Sequence, residues 1–174
     1  VVDPIDGTRS FLRGEPTWCV SLAIIKAGRP AVGVIDAPVK AEVFAATANG
    51  AATLNRRPLR LPDLSARERP FLAMPDAVFS RLNDADKNSF DVHRNVPSLA
   101  YRLAMVAAGT IDGTIVQPRA NDWDIAAADL ILERAGGALL NAEGGRHLYK
   151  PDPKRHGLLV AGAPHALERL RGMA

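Results

Sequence analysis

The chain is 174 residues long, with 22 basic and 19 acidic side chains and a formal net charge of +3. Apolar residues make up 47% and charged residues 24%, which fits a globular fold and excludes general disorder. So small a charge does not argue for a nucleic-acid binder, and the longest apolar runs, such as Val20 to Ile25, are too short to span a bilayer. Cys19 is the only cysteine, so no intrachain disulfide framework or cysteine-based zinc site is available. That usage points to the cytoplasm. No basic-then-apolar signal opens the chain. Val1-Val2 reads as the end of a buried strand, so the chain is expected to be part of a longer protein.

The front third reads as an antiparallel meander. Trp18 to Lys26 is a strand, Ala27-Gly28-Arg29-Pro30 a turn, and Ala31 to Ile35 a second strand closed by Pro38. Glu42 to Ala46 is a third, ended by the tight-turn pair Asn49-Gly50. Arg56 to Pro70 carries no clean period and marks the boundary between a first part, 1–70, and a second, 71–174. Phe71 to Met74 reads as a short strand and Ala77 to Lys87 as helical. Pro97-Ser98 starts a clear helix with Leu99, Leu103, Val106 and Ala107 on one face and Gly109 as its stop. Ile111 to Val116 is a strand. Asp122 to Ala135 is a second clear helix, N-capped by Asp122 and stopped by Gly136-Gly137. Ala138 to Asn141 and Leu158 to Ala161 are strands, and Pro164 opens a terminal helix. Strands alternating with helices in the second half indicate a layered α/β architecture.

The strongest chemical signal is Asp3-Pro4-Ile5-Asp6-Gly7-Thr8. Two carboxylates sit three residues apart directly after a strand. Pro4 stiffens the turn and Gly7 permits unusual backbone angles. Asp3, Asp6 and the Ile5 carbonyl are hard oxygen donors suited to Mg²⁺. If Arg9 to Leu12 begins a helix, the Gly7 and Thr8 amides form an anion cradle. The competing reading is an acidic surface turn. A Ca²⁺-binding structural loop is a further alternative, but it lacks the alternating acidic ligands of an EF-hand.

The second signal is Asn121-Asp122-Trp123-Asp124. Asp124 falls in the first helical turn, where the macrodipole favours negative charge, and a purely local role explains it equally well. Trp123 reads as core. Asp6 and Asp124 lie 118 positions apart, so spacing alone does not make them neighbours. His93, His147, His156 and His165 share no metal-ligand spacing and read as surface or structural. Cys19 reads as an inert core residue. Ser10, Ser21 and Ser98 lack the G-x-S-x-G context of a serine hydrolase.

Together, Asp3 to Thr8 and Trp123-Asp124-Ile125-Ala126-Ala127-Ala128 resemble the inositol monophosphatase family, lithium-sensitive Mg²⁺-dependent phosphatases that include 3′(2′),5′-bisphosphate nucleotidases. The resemblance implies an αβαβα sandwich and phosphomonoester hydrolysis with two or three Mg²⁺ ions. By motif position, Asp3 would bridge two metals, the Ile5 carbonyl would bind the first, and Asp6 and Asp124 the second. The Gly7 and Thr8 amides would hold phosphate, and the Thr8 hydroxyl would orient the attacking water. Family members also carry an acidic Glu-Glu motif and a further Asp upstream of the first signature. The chain begins at that signature and so looks like the C-terminal part, expected to be inactive in isolation and prone to associate.

Where inositol phosphatases place a substrate-binding Glu, six residues before the Trp of the second motif, this chain has Gln117. With Arg119 nearby, and Arg155 further on, that favours a substrate with a second phosphate. The segment Tyr149 to Gly157 resembles bacterial bisphosphate nucleotidases. The resulting expectation is hydrolysis of 3′-phosphoadenosine 5′-phosphate to AMP. Inositol monophosphate hydrolysis is the alternative, and a non-catalytic chain that keeps the fold is the rival of another class. The expected partner is a small phosphorylated substrate, with a homodimer admitted and neither nucleic acid nor membrane involved.

Overall fold

The computed structural model describes residues 1–63, 67–93, 96–150 and 155–173. Residues 64–66 of the Arg56–Pro70 stretch and 151–154 of the Tyr149–Gly157 segment lie outside the described residues.

The first 58 residues build one sheet. Strand β1 (Val2–Asp6) is followed by a short helix α1 (Thr8–Leu12). Strands β2 (Cys19–Lys26), β3 (Arg29–Ala37), β4 (Glu42–Thr47), β5 (Thr53–Leu54) and β6 (Arg57–Pro58) then follow in spatial as well as chain order. Every neighbouring pair is antiparallel, as the meander reading requires. β2 alternates buried Cys19, Ser21 and Ala23 with exposed Leu22 and Ile24, the period-2 pattern of a sheet with one covered face.

The second half interleaves β7 (Phe71–Ala73), α2 (Asp76–Phe79), α3 (Asp84–Lys87), β8 (Asp91–His93), α4 (Leu99–Ala107), β9 (Gly113–Val116), α5 (Asp122–Ala135), β10 (Ala138–Asn141), β11 (Leu159–Gly162) and α6 (Pro164–Met173). Its sheet runs in the order β10-β11-β9-β7-β8, parallel where β7 meets β8 and β9 and antiparallel elsewhere. α4 and α5 pack against each other between the two sheets, and α6 covers the far face of the second sheet. All four residues of β9 are buried, because it has helices on both sides. Val116, Leu159 and Ala161 face the α4–α5 layer, while Ile115 and Val160 face α6. This is the expected layered α/β class. Among the described residues no helix is long and apolar enough to cross a membrane.

Three local expectations differ from the structure. The Ala77–Lys87 segment is two short helices, because Asn83 accepts the Asp86 N–H at 2.8 Å and restarts the chain as an N-cap. The N-cap of α5 is Asn121, and Asp122 is already helical. Trp123 is 38% exposed, not core.

The approach of α5 to the first sheet depends on one small residue. A Cβ on Gly33 in β3 would sit 2.7 Å from the Ala127 carbonyl oxygen and 3.1 Å from its Cα. Both atoms belong to a backbone that cannot rotate away. Gly33→Val is therefore expected to destabilise the protein by about 1–3 kcal/mol. Thermal denaturation should show this as a melting temperature several degrees lower.

Candidate active site

Asp3 and Asp6 lie an odd number of residues apart, so an unbroken strand would point them to opposite faces. The β1–β2 ladder avoids this. Asp3 pairs with Ser21 and Asp6 with Cys19, so three steps along β1 match two along β2, and the register shifts between them. The extra residue is a bulge that turns both carboxylates to one side. Asp124 arrives from the first turn of α5, which lies across β2 and β3. One carboxylate oxygen from each of Asp3, Asp6 and Asp124 then lies within 4.8 Å of the others. Residues distant in the chain, and not linked by spacing, are thus neighbours.

Each carboxylate is held by its own bonds. Asp3 Oδ1 accepts the Ile5 N–H at 2.9 Å. Asp124 Oδ2 accepts the Asn121 N–H at 2.7 Å and its side-chain amide at 3.1 Å. Asp6, buried, has the most support. Its Oδ2 accepts the Ser98 hydroxyl at 2.6 Å and the Ala100 N–H at 2.6 Å. Ser98 is the N-cap of α4, so the positive end of that helix faces the Asp6 charge. In the sequence Ser98 marks a helix start and has no serine-hydrolase context. Its serine-at-a-cap signal was legible, but its partner 92 positions away was not.

Burial, with the neighbouring carboxylates, raises the proton affinities of Asp3 and Asp6. Asp6 is raised to about 6, first by burial and then by the charges of Asp3 and Asp124; the Ser98 and Ala100 bonds pull the other way. Asp3 is also raised, by burial first and by Asp124. An all-oxygen, anionic, partly buried cluster is the donor set of a hard divalent cation, so these residues fit Mg²⁺.

Gly7 links this cluster to a cavity. Its φ is +87°, and a Cβ there would lie 2.9 Å from Ser98 Cβ and 3.0 Å from the Thr17 carbonyl oxygen. Only glycine combines that backbone angle with so close an approach to α4. Gly7 and Thr8 line a cavity of about 640 Å³ together with Arg9, Arg13, Arg102, Gln117 and Arg119. Among the described residues no carboxylate lines it. Arg102 is buried and lowered to about 10, by burial, so it is a cation at neutral pH. Arg119 has a φ of +86°, a strained angle for a side-chain-bearing residue, and its N–H bonds the His156 carbonyl at 2.8 Å. Arg155 is exposed and is not among the lining residues. The Thr8 hydroxyl donates to the Ile5 carbonyl at 3.0 Å.

Two residues read as surface or structural from their spacing lie elsewhere. His156 is buried with Nε2 2.7 Å from Asp122 Oδ1, and His147 packs edge-to-face on it with ring centroids 4.0 Å apart.

A layered sandwich whose strand bulge and helix start bring three aspartates together beside an arginine-lined cavity defines a class of α/β protein with a candidate metal site. Residues 1–172 match the inositol monophosphatase family. The chain is 36% identical over 179 aligned residues to the Nus factor SuhB of Pasteurella multocida, covering 98% of this chain and 64% of that protein. It is 33% identical to the inositol-1-monophosphatase of Rhizobium meliloti, covering 98% of this chain and 65% of that protein. The crystal structure of the suhB protein of Bartonella henselae superposes with a TM-score of 0.82 at 31% identity, covering 99% of this chain and 70% of that one. The Thermotoga maritima IMPase shares the fold with a TM-score of 0.85 at 24% identity, covering 99% and 66%. The chain belongs to the inositol monophosphatase family, and it spans about 64% of the length of relatives such as the Pasteurella protein.

Proposed function

We propose that the whole protein is a Mg²⁺-dependent phosphomonoesterase. The convergence of Asp3, Asp6 and Asp124 within 4.8 Å of one another carries the reading. These three carboxylates and the Ile5 carbonyl would hold the metal. Bound Mg²⁺ would supply electrophilic stabilisation of the phosphoryl oxygens and activation of water. The chain's own groups do the positioning. The Gly7 and Thr8 amides hold the phosphate at the mouth of the cavity. The Thr8 hydroxyl spends its proton on the Ile5 carbonyl, so its lone pairs accept a hydrogen bond from water and aim the water's own lone pair at phosphorus. Arg102, beneath the cavity, offsets the negative charge that gathers as the ester cleaves.

The cavity also bears on substrate. Among the described residues, Arg9, Arg102 and Arg119 line it with the neutral Gln117 and no acid, and Arg13, which also lines it, pairs with Glu15 at 2.9 Å. Such a wall favours a substrate with a second anionic group, and 3′-phosphoadenosine 5′-phosphate meets that requirement. Inositol monophosphate is the second reading, favoured by relatives that carry the name inositol-1-monophosphatase. Phosphate release by the full-length protein, compared as kcat/KM on the two substrates with Mg²⁺, separates them. Arg119→Ala removes a charge-assisted hydrogen bond of about 1.5–3 kcal/mol. It is expected to raise KM for the bisphosphate about tenfold or more and leave inositol 1-phosphate nearly unchanged. An equal effect on both substrates would remove Arg119 from second-phosphate recognition. No release from either substrate would overturn the phosphatase reading.

A further inference from the structure

We infer that Asp122, His147 and His156 form a second metal site, separate from the three-aspartate cluster and selective for a borderline-soft divalent ion such as Zn²⁺. Each residue offers one ligand atom, and the three atoms lie within 4.8 Å of one another. Two imidazoles and one carboxylate are a zinc-type donor set, with three protein ligands and a fourth position for water. The aspartate cluster has only oxygen donors and suits Mg²⁺, so the two sites select different ions.

The geometry needs little adjustment. Bonds of about 2.0–2.1 Å to a tetrahedral ion place ligand atoms about 3.4 Å apart. His156 Nε2 and Asp122 Oδ1, now 2.7 Å apart, would open by less than an ångström as the ion replaces the proton they share. The His147 ligand atom already lies within 4.8 Å of the other two, so it would close by about 1.4 Å at most to reach that spacing. Its ring contacts Tyr149 and His156, with centroids 5.0 and 4.0 Å away, while its hydrogen bond to Arg29 uses the carbonyl oxygen and leaves the ring nitrogens for a ligand.

The surroundings hold the donors in place. Arg29 fixes the His147 carbonyl at 2.7 Å, and its own charge is taken up by Asp129 at 2.8 Å and Glu133 at 2.7 Å. Asp129 also accepts the Tyr149 hydroxyl at 3.0 Å. These bonds fix the backbone that carries His147 and the Tyr149 ring that packs on it. Asp122, at the edge of the cluster, borders a cavity of about 690 Å³ with Trp123 and Tyr149.

Occupancy would reach the active site through the backbone. The His156 carbonyl accepts the Arg119 N–H at 2.8 Å and the His156 N–H donates to the Ala120 carbonyl at 2.9 Å. Asp122 stands two positions before Asp124 on the first turn of α5. One ion would tie together the turn that presents Arg119 and the helix start that presents Asp124.

The test is Zn²⁺ titration of the full-length protein by calorimetry, in millimolar Mg²⁺ to hold the aspartate cluster, for wild type and His147→Gln. His147 is half-buried, so the variant keeps its fold. Wild type is expected to bind one more equivalent than the variant, or to bind it at least about tenfold more tightly. The same difference should appear with Co²⁺ as intense visible absorption in wild type only. Equal stoichiometry and affinity in the two proteins would overturn the site. An independent measurement needs no variant: on Zn²⁺ addition, the ring nitrogens of His147 and His156 should shift together in a histidine NMR spectrum while those of His93 and His165 stay fixed. Unmoved His147 and His156 resonances would overturn it equally.

Discussion

Asp124→Asn in the full-length protein is expected to lower turnover by about a thousandfold or more while costing little stability. The two effects separate because the carboxylate does two jobs. Its Oδ2 caps the start of α5 by accepting the Asn121 N–H at 2.7 Å. An asparagine keeps an acceptor oxygen there, so the cap survives and the cost stays near or below about 1 kcal/mol. The other job is charge. Asp124 is one of three carboxylates within 4.8 Å, and a neutral amide neither attracts a divalent cation as strongly nor helps neutralise it. Losing several kcal/mol of metal-dependent stabilisation, at about 1.4 kcal/mol per tenfold in rate, gives the stated loss. The check is kcat with Mg²⁺ together with melting temperatures in Mg²⁺ and in EDTA. The variant should melt close to wild type in EDTA and gain much less from Mg²⁺. Turnover within tenfold of wild type would remove Asp124 from the metal site.

The sequence made the donor types legible and left their arrangement hidden, for identifiable reasons. Asp3 and Asp6 stood out because hard oxygen donors cluster beside a glycine, whereas Asp124 at a helix start has an equally good local explanation and is singled out by the family resemblance. What joins them is a register shift in β1, whose one compositional mark is Pro4, and a proline there reads equally well as a stiffened turn. Trp123 looked like core because large aromatics usually are, yet the capping of α5 by Asn121 sets the first turn so that Trp123 faces outward. The meander was readable because its turns carry their own chemistry, whereas β8 (Asp91–His93) was not, since a short polar edge strand paired only to β7 has no period to detect. The Ser98–Asp6 and His156–Asp122 pairs are tertiary contacts. Nothing in the local sequence of Ser98, His156 or Asp122 names the distant partner, so only the fold reveals these pairs.

Mg²⁺ stabilisation should depend steeply on pH, because Asp6 must ionise to bind a cation. In the metal-free protein Asp6 is raised from its ordinary value of 3.8 to about 6, by burial first. The folded state therefore holds a proton that the unfolded state has already lost between about pH 4 and pH 6. The sign follows from linkage. Stability from this group is fully present below about pH 4 and is lost as the pH rises through about 6, a change of about 3 kcal/mol at 1.36 kcal/mol per pKa unit. Asp3, also raised, adds in the same direction. Mg²⁺ favours the ionised form and reverses the trend. The melting-temperature gain from millimolar Mg²⁺ should be small near pH 5, rise through about pH 6, and level off above about pH 7. Ser98→Ala sharpens the test. It removes the hydroxyl that donates to Asp6 Oδ2 at 2.6 Å and favours the charged form. Asp6 then rises further, so the pH at which Mg²⁺ begins to stabilise should move upward in the variant. The lost cap to the Tyr101 N–H costs about 1 kcal/mol at every pH and does not move that midpoint. A Mg²⁺ gain that is flat from about pH 5 to 8, or a midpoint unmoved by Ser98→Ala, would show that Asp6 is not the group that titrates as the metal binds.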